Sequence, residues 1–168
     1  SPVMPPIPGH DLENIVPLRT VGDADRIKNI IENQPDVNKA VIVGAGLIGL
    51  EMAESFQESG LDVTVIEKLP AVLPLISSDM AEIVEEHLSE KGVEVILDDG
   101  VSEFEGKEKV ESVITESGKN VSADLVLMSI GVKPDVKLAK EAGIEIGETG
   151  TIAVNEKMET SHADIYAA

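Results

Sequence analysis

The chain has 168 residues, a formal net charge of −19 at pH 7 and no cysteine. Its length predicts one domain, and a hydrophobic fraction of 42% is enough to build a core. Aromatic residues make up only 2%, so the core must be aliphatic, which is typical of a parallel sheet covered by helices. The lack of cysteine excludes disulfides, thiolate metal sites and thiol redox chemistry within this chain.

The negative charge argues against nucleic acids and anionic membrane surfaces as partners, because their binders need a basic face. No apolar run approaches the length of a membrane span, and no signal peptide opens the sequence. We therefore expect a cytoplasmic protein that binds neither nucleic acid nor membranes.

The first elements in chain order are a proline-rich arm and a helix. Residues 1–17 contain prolines at a density that predicts an arm or linker without any regular element. Residues 23–33 have isoleucines at spacings of three and four, which predicts a helix that ends before Pro35.

A βαβ unit follows the first helix. Residues 39–43 are typical of a short buried strand, and the glycine-rich segment Gly44–Gly49 comes directly after it. Residues 50–59 predict a helix ended by Gly60, and residues 62–66 predict a second strand. Strand, glycine turn, helix and strand together form one unit of this type.

The next predicted helix has Ser78 or Asp79 as its N-cap, with Glu82 placed three residues after Asp79 as a capping box requires, and it is ended by Gly92. The apolar stripe of this helix, which is expected to face the core, consists of Met80, Ile83, Val84, His87 and Leu88. His87 is therefore expected to be partly buried and structural, not catalytic.

A different pattern follows a third strand at residues 93–97. Short strands separated by turn residues predict a β-meander, and they lie at residues 101–104, 110–115 and 120–122. A near-continuous apolar run at 125–128 predicts a buried parallel strand. The remaining predicted elements are a short helix at residues 138–142 and edge strands at residues 144–146 and 152–154.

These elements predict an α/β fold, namely a Rossmann-like three-layer domain over residues 18–155. It has a central parallel sheet and an inserted β-meander. Residues 1–17 and 156–168 are expected to flank this domain.

The glycine turn carries the chemistry of a dinucleotide site. Gly44 makes the tight turn, Gly46 lets a pyrophosphate approach the backbone, and Gly49 lets the helix pack against the strand. The helix then directs its free N–H groups and its positive dipole end at the phosphates. A turn without ligand is the alternative, but the complete strand-turn-helix-strand context with an acid after the second strand favours dinucleotide binding.

Glu67, at the end of the second strand, indicates which nucleotide is bound. A carboxylate there accepts the hydroxyls of the adenosine ribose and repels a 2′-phosphate, which favours NAD(H) over NADP(H). Lys68 weakens this argument because it could turn toward a phosphate. For Glu51, in the first turn of the predicted helix, favourable charge near the helix N-terminus is the preferred explanation, and a polar contact near the nicotinamide is the alternative. The histidines lack clustered partners, so no metal site is predicted.

The sequence resembles the NAD-binding domain of the FAD-dependent pyridine nucleotide–disulfide oxidoreductases. The likeness is to the branch of NADH oxidases, NADH peroxidases and coenzyme A-disulfide reductases. It is carried by residues 41–53, which look like the second glycine motif of the family, and by Met128–Asp135, which is similar to its G-x-x-P segment. Pro5–Gly9 and Ala163–Ala168 are similar to the segments that leave and re-enter the flavin domain.

The resemblance implies roles for individual residues. Gly44, Gly46 and Gly49 would line the pyrophosphate, and Glu67 would take the ribose. Leu47 matches a position where several family members have a tyrosine over the nicotinamide, and leucine cannot supply that stacking. The residues implied to border the nicotinamide half are Leu47, Ile48, Glu51, Ile130 and Gly131.

The resemblance also implies a larger parent enzyme. Residues 1–17 would be a linker arm from a missing FAD domain, and residues 156–168 would begin the return to it. The expected partners are the FAD domain and a dimerisation domain of the parent chain, which is expected to be a homo-oligomer. The isolated chain is expected to be inactive, because the flavin and the redox cysteine of the family would lie elsewhere.

Two other hypotheses stay open from the sequence. One is a stand-alone nucleotide-sensing Rossmann module, which the proline-rich arm and the end at Ala168 disfavour. The other is FAD binding in the same glycine turn, since FAD uses a similar fingerprint. The terminal electron acceptor could be coenzyme A disulfide, peroxide, oxygen, polysulfide or a protein.

Overall fold

The computed structural model describes residues 2–168, which form two compact units, residues 2–131 and residues 132–168. The strands are β1 (Ile15–Pro17), β2 (Lys39–Val43), β3 (Asp62–Ile66), β4 (Glu94–Ile96), β5 (Val101–Gly106), β6 (Val110–Thr115), β7 (Asn120–Ser122) and β8 (Leu125–Met128). The helices are α1 (Val21–Asn33), α2 (Leu47–Glu58), α3 (Ser78–Glu90) and α4 (Lys137–Glu141).

A parallel sheet with the strand order β1-β8-β2-β3-β4 forms the centre of the first unit. Strands β5, β6 and β7 form a separate antiparallel sheet, which is the meander predicted from the sequence. The chain continues from β2 to β3 on one side, whereas β8 pairs with β2 on the other side, so the strand order reverses at β2. Because the three strands are parallel, their carboxyl ends lie at the same edge of the sheet.

The two faces of the parallel sheet are covered by different layers. Ile42 and Leu127 pack with residues of α1, α2 and α3, including Phe56, in one core cluster. Their strand neighbours point to the other face, where Val126 packs with Phe104 of the meander in a second cluster. Helices, parallel sheet and meander are thus three layers, and the predicted α/β, Rossmann-like three-layer fold is confirmed.

Strand β1 corrects the expectation for the proline-rich arm. We expected no regular element in residues 1–17, but Ile15 and Val16 pair with β8 and are 5% and 1% exposed. Pro17 is compatible with this strand because β1 has only one neighbour, so a missing N–H at the sheet edge breaks no ladder bond there. The arm therefore contributes the edge strand of the sheet.

Helix α3 corrects the predicted apolar stripe. Its buried residues are Ala81 and Leu88, whereas Met80 and Ile83 are 51% and 60% exposed. His87 was expected to be partly buried, but 64% of its side chain is exposed. The five residues of the predicted stripe cover a wider arc of the helix than the arc that is buried. The small side chain of Ala81 packs against the core in their place, together with Leu88. The helix begins after Ser77 without a side-chain cap, so the predicted capping box is also wrong.

Residues 132–168 contain α4 and little other regular structure. In place of the edge strands predicted at 144–146 and 152–154, the structure has a single bridge between Ile146 and Ile152. The N–H groups of Gly147 and Ala153 donate to the carbonyls of Thr151 and Glu145 across this bridge, but the N–H of Glu145 donates to the Ser161 hydroxyl, so the pairing does not extend into a ladder. Among residues 2–168, no helix combines the length and the apolar character that crossing a bilayer requires.

Candidate nucleotide-binding site

A cleft of about 660 Å³ lies at the carboxyl edge of the parallel sheet, in the unit of residues 2–131. The last residues of β2, β3 and β8 line it, and so do the segments that follow them. Ligands of open α/β sheets bind at this edge, where the strand order reverses. The lining residues are Pro5, Ile7, Val43, Gly44, Gly46, Ile66, Glu67, Lys68, Leu69, Pro74, Asp99, Gly100, Val101, Glu116, Met128, Ser129, Ile130 and Gly131.

Gly44 opens the turn between β2 and α2 in a conformation that only glycine adopts without strain. Its φ is 106°, and a Cβ there would lie 2.7 Å from the carbonyl oxygen of Ser129. The N–H of Gly44 donates to the carbonyl of Ile66 at 2.8 Å. Gly44 thus connects the turn to two strands: it is hydrogen-bonded to the end of β3 and packs against the backbone that follows β8.

Gly46 leaves the mouth of the turn open. It is the N-cap of α2 and has no side chain to accept a hydrogen bond from the helix. A Cβ on Gly46 would meet no atom within 4 Å, so the space above its backbone is free. The N–H groups of Leu47, Ile48 and Gly49 lie in the first turn and have no acceptor within the helix. An anion placed above Gly46 would therefore meet free N–H donors and the positive end of the helix dipole.

Gly49 lies on the buried side of the same turn. A Cβ there would overlap the carbonyl oxygen of Gly44 and lie 2.8 Å from the hydroxyl of Ser129. That hydroxyl donates to the carbonyls of Val43 and Gly44 at 3.0 and 2.9 Å. Glycine at this position lets α2 begin directly against the end of the sheet, and Ser129 fixes the turn from the side of β8.

Glu67 uses both of its carboxylate oxygens to shape the cleft. Oε2 accepts the N–H of Ala45 in the glycine turn at 2.7 Å, and Oε1 accepts the N–H of Leu69 at 2.9 Å. Each carboxylate oxygen has a further lone pair, so the group is able to accept hydroxyls from a ligand as well. Glu67 therefore connects the end of β3 to the glycine turn and presents a negative charge to the cleft.

Lys68 does not extend freely into the cleft. Its Nζ donates to Oε1 of Glu116 at 2.7 Å, and the two side chains are 70% and 51% exposed. Glu116 belongs to the turn between β6 and β7, far from Lys68 in the sequence. The meander thus supplies a carboxylate to the same end of the cleft as Glu67.

Asp99 is a buried carboxylate behind this end of the cleft, only 4% exposed. Its oxygens accept the N–H of Ser117 at 3.0 Å and the Ser117 hydroxyl at 2.6 Å. The Ser117 hydroxyl above all, with further help from the Ser117 N–H, Thr115 and the charge of Lys119, lowers the pKa of Asp99 although burial opposes it. Asp99 is therefore held as a carboxylate that anchors the turn of the meander.

The structure brings some of the predicted site residues together and leaves others outside the cleft. Those that line it are Gly44, Gly46, Glu67, Lys68, Ile130 and Gly131. Leu47 and Ile48 are 68% and 48% exposed and lie beside the open mouth of the turn. Helix α2 begins at Leu47, so Glu51 lies beyond its first turn and not in it as predicted, and it lines a separate groove between α2 and α3 together with Glu54 and His87. A contact of these three residues with nicotinamide stays a prediction.

Sequence reasoning missed several residues of the cleft. Pro5 and Ile7 line it although they belong to the arm. Asp99 follows β4 closely, and its position after a parallel strand could have suggested it, because such ends share one edge of the sheet. Glu116 gave no sequence signal, since its approach depends on how the meander packs. Within residues 2–168, no cluster of acidic or histidine side chains has the arrangement of a metal site.

The fold and the cleft define a Rossmann-type domain with a glycine turn and a strand-end acid. The family model described as pyridine nucleotide-disulphide oxidoreductase matches residues 1–168. The chain therefore belongs to the pyridine nucleotide-disulphide oxidoreductase family, and the resemblance predicted from the sequence is confirmed.

The relatives place the chain among oxidoreductases. It is 46% identical over 168 residues to an NADH oxidase of Methanocaldococcus jannaschii, covering 99% of this chain and 37% of that protein. A solved NAD-dependent persulfide reductase from A. fulgidus matches with a TM-score of 0.92 and 40% identity over 98% of this chain and 30% of its own. The chain spans 37% of this NADH oxidase and 37% and 38% of two NAD(P)H sulfur oxidoreductases of Pyrococcus, so it corresponds to little more than a third of these proteins.

Two further solved structures are those of an NADH oxidase and of its engineered mutant, each bound to a different nucleotide. The water-forming NADH oxidase from Lactobacillus brevis, bound to NADH, matches with a TM-score of 0.86 and 27% identity over 99% of this chain and 36% of that one. A mutant engineered into a water-forming NADPH oxidase, bound to NADPH, matches with a TM-score of 0.85 and 26% identity over 99% of this chain and 36% of that one.

We expect Gly44→Ala to affect mainly the stability of the fold and Gly46→Ala to affect mainly nucleotide binding. Gly44→Ala should destabilise the fold by about 2 kcal/mol or more, because it combines a left-handed backbone with a clash against Ser129. Gly46→Ala should keep the fold, with a loss of about 1 kcal/mol or less from a poorer N-cap, but should weaken nucleotide binding. Chemical denaturation and NADH titration of both variants would measure this, and equal stability of the two would contradict it.

Proposed function

We propose that this chain is the NAD(H)-binding domain of a flavin-dependent pyridine nucleotide–disulphide oxidoreductase. In the full-length enzyme it would present the nicotinamide for hydride transfer to FAD. The observation that carries the proposal is the open backbone at Gly46, set between the free N–H groups of α2 and the carboxylate of Glu67.

The residues of the cleft suit the parts of a dinucleotide. The pyrophosphate would lie at the turn that contains Gly44, Gly46 and Gly49, where the N–H groups at the start of α2 meet its charge and the open backbone at Gly46 lets it approach. The ribose of adenosine would lie at Glu67, whose carboxylate is already oriented by Ala45 and Leu69. The nicotinamide half would then extend along the cleft toward Ile130 and Gly131.

The acids of the cleft support NAD(H) as the preferred nucleotide. Glu67, Asp99 and Glu116 line the cleft, and Glu116 neutralises Lys68, so a 2′-phosphate would enter a negative field. The preference of the parent enzyme for NADH over NADPH is thus a consequence of the same side chains that shape the ribose end.

The engineered relative supports this interpretation. Its five substitutions replaced a glycine, an aspartate, an alanine, a methionine and a proline and converted an NADH oxidase into an NADPH oxidase. The intervals between these positions equal the intervals between five residues here: Gly49, Glu67, Lys68, Leu69 and Pro74. The aspartate, which was replaced by alanine, corresponds by this spacing to Glu67.

The chemistry of the parent would be divided between this chain and the rest of the enzyme. FAD, bound elsewhere in the parent, would accept the hydride and pass its electrons on. This chain has no cysteine and a single glycine fingerprint, so it has no group of its own to accept the hydride. Its residues would bind NADH and orient the nicotinamide. The exposed apolar side chains of Leu47, Ile48 and Ile130 border the mouth of the turn and suit contact with the nicotinamide and the FAD domain.

The proposed parent also contains a dimerisation domain, assembles as a homo-oligomer and works in the cytoplasm. The relatives, an NADH oxidase and a persulfide reductase among them, are longer than this chain and leave room for such domains. Their acceptors differ, so the acceptor of this enzyme would be decided outside the residues described here.

The 168-residue chain should bind NADH more tightly than NADPH. Glu67→Ala should narrow the difference by about 1–2 kcal/mol, because it removes charge-assisted hydrogen bonds to the ribose and the repulsion of a 2′-phosphate. Glu67→Gln is the matched control, since it removes the charge but keeps an acceptor for the N–H of Ala45 or Leu69. Fluorescence titration with both nucleotides measures the effect, and equal or tighter NADPH binding by the unmodified chain would contradict it.

NADH binding should strengthen from very low salt to moderate salt. The chain has a formal charge of −19 and the nucleotide is an anion, so their long-range repulsion is screened within about 10 Å at 0.1 M salt. The attraction of the helix end acts only over about one turn and is screened less. Calorimetric titration over a salt series measures this, and an affinity that falls steadily with added salt would show that local attraction dominates.

The purified chain should be colourless and should not oxidise NADH. Hydride transfer needs an acceptor stacked on the nicotinamide, and a sequence without cysteine and with one glycine fingerprint supplies none. Absorbance at the NADH band, followed with disulfides, peroxide or oxygen, should stay constant. A yellow preparation with a flavin spectrum would contradict the proposal and favour FAD in the turn of Gly44–Gly49.

A further inference from the structure

We propose that Glu116, supplied by the meander, is a second determinant of selectivity for NADH over NADPH, because it holds and neutralises Lys68 beside the ribose-binding acid. The inference rests on the proposed NAD(H)-binding function and deepens it. It gives the meander a role in choosing the nucleotide, in addition to covering one face of the sheet.

Lys68 is the one cation among the described residues that line the cleft, and it directly follows Glu67. A free ammonium at this place would attract a 2′-phosphate and oppose the effect of Glu67. Instead, Nζ of Lys68 donates to Oε1 of Glu116 at 2.7 Å. This ion pair offsets the positive charge of Lys68 at the ribose end of the cleft.

The backbone around Glu116 holds its carboxylate in this position. The N–H of Glu116 donates to the carbonyl of Gly100 at 2.7 Å. The side chain lies over Gly100, where an added Cβ would be 2.7 Å from the carboxyl carbon. No φ in the left-handed region requires glycine at this position, and its missing side chain leaves room for the carboxylate of Glu116.

A chain of contacts connects Glu116 to Glu67. Ser117, next to Glu116, is fixed by both carboxylate oxygens of the buried Asp99. The N–H of Asp99 in turn donates to the backbone carbonyl of Glu67 at 3.1 Å. These hydrogen bonds therefore connect Glu67 and Glu116, the two acids proposed to determine selectivity, although they come from different sheets.

The size of the effect follows from the exposure of the pair. Lys68 and Glu116 have 70% and 51% exposed side chains, so their attraction is screened by water. Removing the charge of Glu116 should raise the NADPH-to-NADH affinity ratio by about two- to fivefold at low ionic strength, the scale of an exposed ion pair.

The test compares three forms of the 168-residue chain: unmodified, Glu116→Gln and Glu111→Gln. Gln at position 116 keeps an acceptor for Lys68 but removes the charge, so the shape of the site is preserved. Glu111 is exposed on β6 and does not line the cleft, so its variant loses the same charge from the same antiparallel sheet without changing the cleft. Dissociation constants for NADH and NADPH are measured for each form, with circular dichroism to check the fold.

A ratio that rises in Glu116→Gln and not in Glu111→Gln supports the inference, and adding Lys68→Gln to the Glu116→Gln chain should abolish the gain. An unchanged ratio, an equal rise in Glu111→Gln, or a gain that survives Lys68→Gln overturns it while leaving the proposed function intact. If the unmodified chain fails to bind NADH, the proposed function itself fails and this inference with it.

Discussion

The glycine turn between β2 and α2 is the contact on which the cleft depends. Its first residue, Gly44, approaches the backbone of Ser129 so closely that no side chain is tolerated there. Its second, Ala45, donates to Glu67 and accepts the N–H of Leu73, which ties down the loop after β3. Three parallel strands and one helix end are thereby held around a few residues of backbone, and Gly46 keeps that backbone accessible.

The same arrangement explains how a chain with a charge of −19 could bind an anion. The acids of the cleft, Glu67, Asp99 and Glu116, all accept hydrogen bonds from neighbouring groups. Glu67 and Glu116 come from different sheets but serve one end of the cleft. The phosphates would instead meet backbone N–H groups, whose favourable interaction does not depend on net charge. If the ribose and the pyrophosphate bind at these separate places, affinity and selectivity would be largely independent properties of the site.

The parts of the fold that could be predicted are those with local signals. The βαβ unit around Gly44–Gly49 and the meander were predicted because strand composition, turn glycines and helix ends lie close together in the sequence. Strand β1 was missed because its pairing with β8 is long-range and proline density dominated the local pattern. The exposed face of α3 and the approach of Glu116 depend on tertiary packing, which periodicity alone does not determine.

The most direct test of the central claim is to follow the backbone amides of the ¹⁵N-labelled chain by NMR while NADH is added. We predict that the largest shifts occur at Gly46–Gly49, where free N–H groups would meet the pyrophosphate, and at Ala45 and Leu69, which share the carboxylate of Glu67. Shifts confined to another surface, such as the groove that contains Glu54 between α2 and α3, would contradict the account.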